Sequence, residues 1–218
     1  MNPIIYPNQT EGDSSKIEEY IFDTCQKHKN EKRALAFAFI ISDLDDPQIT
    51  KILRDEDYVN ALHKISGHYL TIFYLNDNYV DKRISKAINS NQIRLELGVQ
   101  KIDAPSTLTP KFIAKNLINR ENLPSPSILF FQVNERIITD YTFAQLSEND
   151  IENGFNEMKQ IVKTAIESLS QVTEENRDNH NELFSLVKSS IDSSTFWKNA
   201  KKSYAKLIKL KDLVSFFG

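Results

Sequence analysis

The chain has 218 residues, 40% of them hydrophobic and 26% charged, with a formal net charge of −3. That length and balance suit a folded chain with a full hydrophobic core and exclude wholesale disorder. The small negative charge gives no strong nucleic-acid signal, because phosphate-binding proteins concentrate basic side chains on one face. No apolar run reaches the roughly 18 residues that span a bilayer. Met1 to Asn8 lacks the basic and then apolar sections of a secretory leader, so a cytoplasmic location is expected. The single cysteine, Cys25, cannot form an intramolecular disulfide, which agrees with a reducing compartment.

A first helix is expected after Ser14 or Ser15, with Ile17, Tyr20, Ile21 and Cys25 at helical spacing, so Cys25 reads as a core residue. Arg33 to Ile41 is too continuously apolar for an exposed hairpin and predicts a central strand covered on both faces. Asp46 followed by Pro47 marks a helix start. Ile49, Ile52, Leu53, Val59, Leu62 and Ile65 supply its stripe, the acidic patch Asp55 to Asp57 is a point where it splits in two, and Gly67 is its stop. Tyr69 to Leu75, aromatic and β-branched, predicts a second strand.

Val80 to Leu97 carries helical spacing, Ala104 to Leu108 reads as a loop, and Thr109 with Pro110 opens another helix bearing Phe112, Ile113, Leu117 and Ile118. Pro124-Ser125-Pro126 blocks helix, and Ser127 to Val133 predicts a third buried strand. A short turn at Asn134 and Glu135 leads to a fourth strand, Arg136 to Phe143, antiparallel to the third. Ser147 is then expected to cap a long helix with Asp150 at its third helical position.

The resulting order, β, α, β, α, β, β, α, resembles a thioredoxin-like domain. The expected fold is therefore α/β, a mixed four-stranded sheet flanked by helices, with a C-terminal helical extension. The local match is Ser125-Pro126-Ser127-Ile128-Leu129-Phe130-Phe131, similar to the proline-then-strand segment where that family carries a cis proline beside a groove for extended peptides. Residues 1–29 form a tail and helix, 30–170 the thioredoxin-like domain, and 171–218 the extension.

The departure from the family is as informative. Where thioredoxins have a cysteine pair, this chain has Ser42-Asp43-Leu44-Asp45-Asp46-Pro47, so thiol–disulfide exchange is excluded. What the resemblance leaves is the groove at Ser125, Pro126 and Ser127.

Ile151, Phe155, Met158, Val162, Ala165 and Leu169 alternate steps of four and three, as a helix–helix seam does. Continued in register, the seam meets Val172, Asn176, Asn179, Leu183 and Leu186, and dimerisation through it as a coiled coil is one expectation. The other is that the helix packs on the sheet to about Leu169 and breaks in the polar stretch Thr173 to Asn181. Thr195 to Phe217 predicts a basic amphipathic helix, with Phe196, Trp197 and Tyr204 as candidate apolar contacts and Lys198, Lys202, Lys206 and Lys209 as candidate basic ones. Residues 145–185 are acidic and residues 186–218 basic, so folding back on the same chain is one outlet. A protein partner is a second, and a membrane surface or nucleic-acid phosphate a third.

The enzyme signal is the strand Phe39-Ile40-Ile41 running into Asp43, Asp45 and Asp46, which resembles the Asp-x-Asp motif of haloacid-dehalogenase-type phosphohydrolases. The resemblance implies Asp43 as nucleophile and Asp45 as general acid/base, with a magnesium ion on the phosphate. Pro47 departs from that pattern, and no later strand ends in the acidic pair that completes such a metal site. His28, His63, His68 and His180 show no zinc-ligand spacing, and the glycine-rich phosphate loops and the serine-hydrolase elbow are absent. The expectation is a non-catalytic protein-binding or adaptor module that needs no cofactor or metal. The alternative is a metal-dependent phosphohydrolase or nuclease-like enzyme using Asp43, Asp45 and Asp46.

Overall fold

The computed structural model describes residues 14–32, 34–42, 47–76, 99–103, 109–147, 150–173, 177, 179 and 181–194. In chain order the elements are α1 (Ser14–Asn30), β1 (Ala36–Ile41), α2 (Pro47–Arg54), α3 (Glu56–Ser66), β2 (Leu70–Asn76), β3 (Val99–Asp103), α4 (Pro110–Ile118), β4 (Ser127–Asn134), β5 (Ile137–Gln145) and α5 (Ile151–Ser170). A sixth helix, α6, follows over residues 181–194.

The sheet runs β3-β2-β1-β4-β5. β1 is parallel to β2 and antiparallel to β4, β2 is parallel to β3, and β4 is antiparallel to β5. All four expected strands form this mixed sheet, and β3 adds a fifth at its edge. The helical reading of Val80 to Leu97 and the loop reading of Ala104 to Leu108 lie outside the described residues.

Strand geometry sorts the core. Successive side chains of a strand point to opposite faces, so β1 sends Ala36, Ala38 and Ile40 to one face and Phe37, Phe39 and Ile41 to the other, all six buried. On the first face these meet Ile72, Ile128 and Phe130 beneath α2, α3, α5 and α6. On the second they meet Phe73, Leu129 and Phe131 beneath α1 and α4.

The helix ends follow their local chemistry. Asp55 does split the first crossover into two helices: its carboxylate accepts from the Asp57 amide at 2.9 Å and caps α3. Gly67 closes α3 at a φ of +52°, a left-handed conformation that costs a residue without Cβ little. Thr109 caps α4 ahead of Pro110, its hydroxyl accepting from the Phe112 amide at 3.2 Å. α5 corrects the sequence reading. Its cap is Asp150, which accepts from the Asn153 amide at 2.8 Å, while the Ser147 amide donates to Glu157 Oε2 at 2.6 Å and straps the preceding loop to the helix.

α5 stops at Ser170 rather than continuing a seam through the asparagines. Asn179 instead sits at the start of α6, its side chain reaching the Glu182 amide at 3.4 Å and Glu182 Oε2 at 2.9 Å. α6 then buries Leu183, Phe184, Val187 and Ile191 in the first-face core, while Leu186 stays 40% exposed. Three polar contacts hold it: Ser168 Oγ to Ser190 Oγ at 2.5 Å, Thr142 Oγ1 donating to Asp192 Oδ1 at 3.0 Å, and Lys188 Nζ to Asp140 Oδ1 at 3.1 Å. α1, before residue 30, and α6, after residue 170, thus share cores with the sheet. The basic segment carrying Phe196, Trp197, Lys198, Lys202, Tyr204, Lys206 and Lys209 lies outside the described residues.

Candidate binding site at the carboxyl end of the sheet

β1, β2, β3 and β5 all finish at one end of the sheet, where β4 begins: Ile41 pairs with Ser127, and Ser127 with Gln145. Open α/β sheets place ligands at such an end, where strand directions and connections diverge. β1 delivers Ser42 there, 5% exposed. The candidate carboxylates Asp43, Asp45 and Asp46 follow directly in sequence but lie outside the described residues.

Across from Ser42 is the Pro124–Ser127 turn. The Ser125–Pro126 peptide bond is cis. Ser125 is half-buried and Pro126 buried. Ser127, fully buried, donates from Oγ to the Pro124 carbonyl at 2.6 Å. The Pro126 carbonyl accepts from the Leu146 amide at 2.9 Å, which pins the turn to the end of β5. The three residues singled out from the sequence are therefore brought together beside the end of β1, with Ser125 as the accessible member.

This arrangement has little reactive capacity. The Ser127 hydroxyl is spent on a backbone carbonyl inside the core, so it is not poised as a nucleophile. Among the described residues no group of three or more His, Cys, Asp or Glu side chains is placed to hold a metal ion.

Cys25 is fully buried in α1, and burial pushes its thiol well above the ordinary range, away from the reactive thiolate. One turn further along α1, Lys29 Nζ donates to the Val133 carbonyl at 2.6 Å, and His28 Nδ1 meets Thr71 Oγ1 at 2.7 Å. Val133 is six residues along β4 from Ser127, about 20 Å at the usual strand rise. The amine of Lys29 is itself lowered, chiefly by burial. These polar contacts tie α1 to β2 and β4.

Sequence reasoning missed one feature near this end. Arg120, in the connection from α4 to the Pro126 turn, lies 5.5 Å over the ring of Phe143, which packs edge-on against Tyr141 at 5.7 Å. Phe143 was read only as the end of a strand, because nothing local links it to an arginine over twenty residues earlier.

No protein-family model matches the chain, and neither a curated protein nor a solved structure matches it. Among the described residues no helix is long and apolar enough to cross a membrane.

Proposed function

We propose that this chain is a protein-binding module of thioredoxin-like architecture that has no redox chemistry and uses the Pro126 end of its sheet to hold an extended peptide. The pairing order β2-β1-β4-β5, with the last two strands antiparallel and helices on both faces, supports the architecture. The observation that carries the functional reading is the position of sulfur. Thiol exchange at this end of the sheet would need an accessible thiolate beside Ser42, whereas the only thiol is sealed inside α1. What remains at the Pro126 turn is a half-buried serine and backbone groups, which can recognise a peptide without transforming it.

Peptides selected from a random displayed library against the folded full chain test this. Binders are expected to lose affinity by about tenfold or more on Ser125→Lys, a loss of roughly 1.4 kcal/mol, with the melting temperature unchanged. Binders indifferent to Ser125→Lys would overturn the reading.

A further inference from the structure

The second face of β5 is only partly covered by the described residues. Ile138, Tyr141 and Phe143 pack against the core beneath α1 and α4 yet stay half-buried, whereas Thr142 and Ala144 on the first face are buried. The three side chains form a ledge along the outermost strand of the described sheet. One end of the ledge is near the Pro126 turn, because Phe143 pairs with Leu129, two residues along β4 from Ser127. At the usual strand rise that step is about 7 Å.

The ledge carries a cation. Arg120 is exposed, and its guanidinium lies 5.5 Å from the centre of the Phe143 ring. From there the connection passes through Leu123, buried in the second-face core, to Ser125. A ring attracts a guanidinium but offers no oxygen to its N–H fork. Other cations on this face have carboxylate partners: Lys115 meets Glu121, and Arg136 meets Asp23 and Glu19. Among the described residues no carboxylate pairs with the Arg120 side chain. The aromatic contact therefore holds the fork in place and leaves its acceptor to come from outside.

We propose, resting on the peptide reading of this end of the sheet, that Arg120 selects which peptide is held there. Its guanidinium pairs with an aspartate or glutamate side chain about two residues, or roughly 7 Å, along the peptide from the position beside Ser125. The ligand is thus an acidic segment whose apolar neighbours rest on Tyr141 and Phe143. A single guanidinium suits a carboxylate, whereas phosphate groups are recognised by clustered arginines.

Peptides selected from a random displayed library on the folded full chain, then synthesised with amidated C-termini, test this. Those that lose affinity on Ser125→Lys are expected to share an aspartate or glutamate at one position. Replacing that residue by its amide is expected to weaken binding to the native chain by about tenfold or more, and to Arg120→Gln by less than about twofold. Arg120 is exposed, so Arg120→Gln is expected to melt with the native chain. Ser125-dependent peptides with no shared acid, or equal losses on both chains, would overturn the role of Arg120 and leave the peptide site standing. So would binding that needs a free C-terminal carboxylate, or a phosphoserine at the acidic position binding about tenfold tighter. Peptides indifferent to Ser125→Lys would instead overturn the site itself, and this proposal with it.

Discussion

The two faces of the sheet close their cores by different means. On the first, the described helices α2, α3, α5 and α6 pack over alanine and aliphatic positions of β1. Between α3 and α5 the rings of Tyr58 and Phe155 lie only 4.5 Å apart. On the second, the described helices are α1 and α4, and phenylalanines fill much of the volume beneath them. Phe131 packs against Phe37 at 5.9 Å and Phe73 at 6.4 Å, joining β1, β2 and β4 beneath α1 and α4. One strand supplies both solutions by alternating Ala36, Ala38 and Phe37, Phe39. Where few helices must cover wide strands, large side chains do the covering. Where the aromatic packing thins out, at β5, a ledge is left.

The largest effect that can break this comparison is expected at the aromatic hub. Phe131→Ala should destabilise the chain by about 3–5 kcal/mol, as for other buried phenylalanine deletions, read by denaturant unfolding. A loss under about 1 kcal/mol would mean that the second face is not held by its rings. Next is Phe184→Ala in α6, 1% exposed within the first-face core. It should cost about 3 kcal/mol, whereas an α6 that stands apart from the domain would leave the midpoint in place. Lys188→Ala, which removes a solvent-exposed pairing with Asp140, should cost under about 1 kcal/mol and less at high salt.

The smallest effect concerns pH. Burial lowers the His63 imidazole, half-covered on α3, to about 4. The unfolded chain then takes up this proton before the folded one does. The contribution to stability is complete above the unfolded value near 6.5 and falls as pH drops from about 6.5 toward 4. His63→Gln should flatten that part of the stability profile, and an unchanged slope would show that His63 is not its source.

The central strands were legible because buried β1 and β4 are continuous apolar runs, which no exposed element tolerates. β3 was not, because Val99-Gln-Lys-Ile-Asp103 has a single β-branched pair and its strand character comes from pairing with β2 rather than from its own residues. Ser147 and Asp150 are both good cap residues, and the hydrogen bond that the Asp150 carboxylate accepts from the Asn153 amide decides between them. In α6, Leu183, Phe184, Val187 and Ile191 are helically spaced but were partly absorbed into a supposed seam. Of the site, the Pro126 break was visible. Its neighbourhood was not, since Ser127 meets Ile41 only through a pairing that spans most of the domain.

Reaction of native Cys25 with a thiol-specific reagent tests most directly the claim that this fold binds rather than exchanges disulfides. The account predicts no labelling of the folded chain over hours and one thiol per chain once it is denatured. Labelling of the native protein within minutes would contradict it, by showing an accessible sulfur where the structure places a sealed core.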